Sequence, residues 1–129
     1  MSARSLRLTA AATLAGLAAT VAVATACPAS AYALQSRNLQ PGESVCVSQY
    51  ASYQVRGDGT ATGEGARFKI LKGVTVVSAT PGRVTNWAAE LRSTYGTFPG
   101  PDYYSACAYN TGTTATKVTI AIKTDGEVF

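Results

Sequence analysis

The sequence predicts an all-β chain: a single small antiparallel β-sandwich, jelly-roll-like or immunoglobulin-like in architecture, held by one disulfide. Three observations carry this. Apolar and polar residues alternate with period two along most of the chain, turn-forming pairs recur every eight to twelve residues or so, and Cys46 and Cys107 stand far apart in a body with no other cysteine. The expected organisation is a secretion signal peptide over residues 1–31, an extended N-terminal arm over 32–43 and a sandwich domain over 44–129.

The first segment is an export signal by composition. Arg4 and Arg7 precede a run from Leu8 to Ala26 of Ala, Leu, Val, Thr and Gly, and Ala29-Ser30-Ala31 supplies the small residues that a signal peptidase reads. The mature chain then starts near Tyr32, with a cut after Ala33 as a second site. Cys27 carries the alternative. Ala24-Thr25-Ala26-Cys27 distantly resembles a lipobox, though Ala24 stands where such a motif prefers Leu, and cutting there would leave a lipidated cysteine. Either route exports the protein, so the expected location is secreted and extracellular. No later segment is long and apolar enough to span a bilayer, so no membrane contact is expected after cleavage.

From Tyr32 to Gly42 the chain is polar, lacks a clear period and ends in a Pro41-Gly42 turn, which reads as a lead-in strand or a free arm. Strand patterns follow. Ser44 to Tyr50 and Tyr53 to Arg56 alternate, and Ala66-Arg67-Phe68-Lys69-Ile70 sets apolar and cationic residues on opposite faces. Val74 to Ala79 is β-branched, Tyr103 to Tyr109 alternates tyrosine with small residues, and Val118, Ile120 and Ile122 alternate with Thr119 and Ala121. Trp87 to Arg92 fits a strand with Trp87, Ala89 and Leu91 on one face, or a short helix capped by Asn86. The all-β context favours the strand. Gly57-Asp58-Gly59, Gly63-Glu64-Gly65, Lys72-Gly73, Pro81-Gly82, Asn110-Thr111-Gly112 and Asp125-Gly126 read as the turns between runs.

Immunoglobulin markers are misplaced. Those domains put a core tryptophan soon after the first bridging cysteine and a tyrosine two residues before the second, whereas here Trp87 follows Cys46 at long range and Ser105 precedes Cys107. In an oxidising compartment Cys46 and Cys107 are expected to form a structural disulfide, because a Cys-x-x-Cys spacing for redox work is missing and two cysteines without histidine cannot complete a zinc site.

Composition excludes more chemistry than it suggests. The chain has no histidine, which removes Ser-His-Asp triads, Cys-His pairs and imidazole bases together. Asp58 and Glu64 could meet across a glycine-rich hairpin as a carboxylate pair or a calcium site, but their spacing matches no known pattern, and solvated turn residues are the plainer reading. The chain is therefore read as not an enzyme, with no catalytic residue, cofactor or metal. The formal charge of +4 falls to +2 once Arg4 and Arg7 leave with the signal, and the remaining cations are scattered singly, so nucleic acid is not an expected partner.

Binding is the remaining class. Ser93 to Tyr104 concentrates Tyr95, Phe98, Tyr103 and Tyr104 with Pro99, Gly100 and Pro101, a semi-rigid loop that can present flat apolar faces to a partner. The same rings could instead lid the sandwich. With Trp87 added, stacking on sugar rings is the runner-up, a carbohydrate or cell-wall module. In the leading arm, Leu34 and Leu39 suit strand addition to another protein, and Arg37 suits the cleft of a trypsin-like protease, which makes protease inhibition a third possibility.

The mature region resembles small secreted β-sandwich proteins of streptomycetes and related actinobacteria in its Ala-rich signal, its Cys46 and Cys107 pair and its Thr- and Gly-rich body. In size and in its leading arm its format is similar to the adaptor subunit of umbrella toxin particles. That resemblance implies non-enzymatic bridging between extracellular proteins, with Leu34 to Gln40 as the insertion arm.

Overall fold

The computed structural model describes residues 32–128; the expected signal segment and Cys27 lie outside the described residues. Among the described residues eight strands form two four-stranded antiparallel sheets: β1 Tyr32–Leu39, β2 Ser44–Ala51, β3 Gln54–Ala61, β4 Arg67–Lys72, β5 Thr75–Ala79, β6 Asn86–Arg92, β7 Asp102–Tyr109 and β8 Thr116–Thr124. One sheet has the order β1-β8-β3-β6 and the other β2-β7-β4-β5. Consecutive strands alternate between the sheets except at the β4–β5 hairpin. This is the double Greek key of a jelly roll, which settles the architecture against the immunoglobulin order.

The alternation seen in the sequence becomes the two faces of each sheet. Val45, Val47 and Ala51 of β2, Phe68 and Ile70 of β4, Tyr104, Ala106 and Ala108 of β7 and Val118, Ile120 and Ile122 of β8 point inward and form the core. Cys46 and Cys107 face each other directly across β2 and β7 on the outer face and are bonded, so the disulfide ties the second strand to the seventh within one sheet.

Two expectations are corrected. Of the two readings of Tyr32 to Leu39, the lead-in strand is found and the free arm over 32–43 is not: the segment pairs with β8 along its whole length, from Tyr32 opposite Lys123 to Leu39 opposite Thr116, and Leu39 is fully buried. The sandwich thus begins at residue 32 rather than 44. Gly57-Asp58-Gly59 is no turn: it lies inside β3, which runs on to Ala61. The physical reason is packing. Phe68 and Trp87 stack with centroids 5.1 Å apart and planes 7° from parallel, and a Cβ at Gly57 would strike Trp87 while one at Gly59 would strike Phe68. The glycines leave room for two large rings beneath one strand.

The connections sort to two ends. At one end lie the β1–β2, β3–β4, β5–β6 and β7–β8 loops, joined by polar contacts: Glu64 accepts the N–H groups of Thr113 at 2.7 Å and Thr114 at 3.1 Å. Buried Asn110 donates to the carbonyls of Leu39 at 2.9 Å and Thr114 at 2.8 Å. At the other end lie the β2–β3, β4–β5 and β6–β7 connections, the start of β1 and the turn after β8.

Candidate functional site

Large apolar side chains that remain exposed gather at that second end. Tyr50 and Tyr103 close β2 and open β7, Tyr53 sits in the β2–β3 connection, Val74 and Val76 form the β4–β5 hairpin, and Tyr95 lies in the β6–β7 connection. Val74 is 93% exposed, and Tyr95 and Tyr103 are each 65% exposed. The polar end carries no large exposed apolar side chain among the described residues. Topology explains the grouping, because the jelly-roll order brings these three connections together from distant parts of the sequence.

The patch is held in place by its own hydrogen bonds. Asp125, at a left-handed φ of 53°, accepts the N–H groups of Ser52 and Tyr53, each at 2.9 Å, and its carbonyl accepts from Gln54 Nε2 at 2.6 Å. Ser93 donates to the Tyr53 carbonyl from its backbone at 3.0 Å and from its hydroxyl at 2.8 Å, which ties the β6–β7 loop to the β2–β3 loop. The Tyr104 hydroxyl donates to the Gly100 carbonyl at 2.6 Å and anchors the far side of that loop, while Phe98 packs on the Tyr104 ring at 5.4 Å. Burial raises the Tyr104 phenol above its ordinary pKa, so it stays a donor. Tyr50 and Tyr103 meet edge to face at 5.2 Å.

A second feature lies on the outer face of the β1-β8-β3-β6 sheet, an open groove of about 690 Å³. Register arranges the outward side chains of this face in rows, with Glu90 and Ser36 just outside the groove's lining. Tyr32, Lys123, Arg56 and Glu90 form one row across the four strands, then Leu34, Ala121, Asp58 and Ala88, then Ser36, Thr119, Thr60 and Asn86. Short side chains along the middle rows make the floor, and longer ones stand at one end. Arg56 is clamped: its Nε donates to both oxygens of Asp58 at 3.0 Å, and Nη1 donates to Glu90, which also accepts from Arg92 Nε at 3.0 Å. These bonds, that of Arg56 first, hold the Glu90 carboxyl below the usual range. Lys123 extends over the Tyr32 ring at 5.7 Å.

The residues singled out from the sequence divide. Tyr95 and Tyr103 are in the exposed patch, and Leu34 lines the groove. Leu39 and Tyr104 are core residues at 0% exposure, each turned inward by strand parity, and are removed from the surface. Phe98 and Trp87 are half-buried against the core, with the Trp87 ring covered by Phe68. Arg37 is exposed but sits in mid-strand opposite Val118, where entry into a protease cleft would require β1 to leave its sheet. Asp58 and Glu64 do not meet: Asp58 pairs with Arg56, and Glu64 caps the β7–β8 loop at the polar end. Tyr50, Tyr53, Val74, Val76 and Asp125 were not read from the sequence as a group. Only Tyr50 carried a local signal, sharing the outward parity of Ser44, Cys46 and Ser48.

No family model and no curated protein matches the chain. Among solved structures it is similar to PliG of Aeromonas hydrophila, a periplasmic lysozyme inhibitor of g-type lysozyme, at 10% identity and a TM-score of 0.50 over 73% of this chain and 86% of that one. A de novo designed double-stranded β-helix matches at 13% identity and a TM-score of 0.42 over 70% of this chain and 99% of that one. At 10% identity the likeness to PliG is one of fold.

Proposed function

We propose that this chain is a secreted, non-enzymatic interaction module that binds another extracellular protein through its aromatic end. One observation carries the reading: Tyr50, Tyr53, Val74, Val76, Tyr95 and Tyr103 are exposed together at one end while the other end is polar. Clustered tyrosines on fixed loops supply large contact area at little cost in side-chain entropy, which is what a protein interface uses. The Asp125, Ser93 and Tyr104 bonds order the loops before a partner arrives, so less ordering cost falls on binding.

The disulfide fits an oxidising compartment, and the Arg-led apolar start of the sequence fits export. Two uses of such a surface are supported. One is bridging, the role implied by the format of toxin-particle adaptors; the other is inhibition of an extracellular enzyme, by analogy with the Aeromonas protein, a periplasmic lysozyme inhibitor. Both require one preorganised apolar patch, and neither requires β1 to detach, so the insertion-arm role for Leu34 to Gln40 is replaced by a role for the loops.

The test is affinity purification from the source organism's culture supernatant with a C-terminally tagged chain and its Tyr53→Ala/Tyr103→Ala variant. The wild type is expected to retain a stoichiometric secreted protein, and the variant to lose it while keeping its thermal midpoint within a few degrees. Equal retention by both proteins would refute the assignment.

A further inference from the structure

We infer that the groove on the outer face of the β1-β8-β3-β6 sheet is a second binding site, and that its ligand is an acidic oligosaccharide. The site is separate from the aromatic patch, since its residues project from the face of one sheet and not from the loops at the end. Its lining is mixed rather than apolar. Asp58, Thr60, Asn86 and Thr119 present acceptors and donors over a floor kept shallow by Ala88 and Ala121, and the Tyr32 ring stands at one end. Alternating hydroxyl donors and acceptors with an exposed C–H face are what a sugar ring offers such a surface.

Charge selects the acidic class. On this face Arg56 and Arg92 are matched against Asp58 and Glu90 by direct contacts. Among the described residues Lys123 and Lys117 have no salt bridge: both project outward from β8, and β1 supplies no carboxylate to either, because its outward residues are Tyr32, Leu34, Ser36 and Asn38. The two lysines are six residue steps apart along the strand, about 20 Å at strand rise, so two excess positive charges flank a run of hydrogen-bonding side chains. A polymer with spaced carboxylates satisfies both. Nucleic acid does not fit, since two cations that far apart match carboxylates carried at intervals and not a phosphate on every residue.

The measurement is a glycan array of uronate-bearing, sialate-bearing and neutral oligosaccharides, followed by calorimetric titration of the best acidic glycan and of its methyl ester. The wild type is expected to retain acidic glycans, to bind the ester at least tenfold more weakly, and to lose about tenfold for the acid on Lys123→Gln. Asn86→Ala should weaken both glycan forms. Tyr53→Ala/Tyr103→Ala should change neither, which keeps a failure here distinct from a failure of the protein-binding reading. Retention of no acidic glycan, equal binding of acid and ester, or an unchanged affinity in Lys123→Gln would each overturn the proposal.

Discussion

Replacing Gly59 with alanine should destabilise the sandwich, although alanine is the better residue for an ordinary strand position. Gly59 lies inside β3 with its inward side against Phe68, and an added Cβ would strike the Cε1 and Cδ1 atoms of that ring. Phe68 has no room to yield, being fully buried and stacked on Trp87. Removing glycine's backbone freedom contributes about 0.5–1 kcal/mol in favour of the folded state. Overpacking a filled core costs about 1–3 kcal/mol. The net expectation is a loss of about 1–2 kcal/mol, or about 5–15 °C in thermal midpoint for a domain of this size. Gly82 is the control, since nothing lies within 4 Å of its Cβ position, and Gly82→Ala should be neutral or slightly stabilising. Thermal and guanidinium unfolding of the oxidised proteins, followed by far-ultraviolet circular dichroism, measures both. A Gly59→Ala protein as stable as the wild type would refute the packing of Phe68 beneath β3.

Removing the disulfide by Cys46→Ala/Cys107→Ala should lower the unfolding free energy by about 4 kcal/mol on the chain-entropy model, given a sequence separation of 61, and a change below about 1 kcal/mol in denaturant titration would contradict that. Deleting residues 32–39 should unfold the domain or drive it to dimerise, because β8 would lose one of its two partner strands and become an edge, and the core would lose Leu39; an intact monomer by light scattering with an unchanged midpoint would return this segment to the status of an arm. Glu64 and Glu90 have folded pKa values below their ordinary value of 4.5, Glu64 through the Thr113 and Thr114 N–H groups and Glu90 through Arg56. Their contribution is therefore present above pH 4.5 and lost as the pH falls through the depressed folded values, so the thermal midpoint should be level near neutrality and drop in acid, and the drop should be smaller in Glu64→Gln. An equal acid drop in that variant would contradict the role given to the Glu64 cap.

Most of the fold was legible because strand parity is a local property. Arg67-Phe68-Lys69-Ile70 and the Val118, Ile120 and Ile122 series announce which face is buried, and both are found buried on that face. The glycines of β3 misled, because their signal is the same in a turn as beneath an aromatic ring, and only Phe68 and Trp87, distant in sequence, distinguish the two. The first strand was obscured for a related reason: Gln35, Ser36, Arg37 and Asn38 are exposed on an edge strand, so no alternation marks them. The candidate surfaces were less legible still. Tyr95 and Tyr103 stood out by local density, but Tyr50, Tyr53, Val74 and Val76 reach the same end only through the jelly-roll crossovers. Tyr104 and Phe98, within the same aromatic run, turn inward by parity and packing. The groove was invisible, since its rows cross four strands that the sequence order does not place side by side.

The most direct test of the central claim is a hydrogen-exchange footprint of the complex formed with the co-purified secreted partner. Binding through the aromatic end predicts new protection in residues 50–53, 72–76 and 93–104, with the loops at 40–43, 62–65, 80–85 and 110–115 exchanging as in the free protein. Protection confined to those polar-end loops, or absent from both ends, would contradict the account.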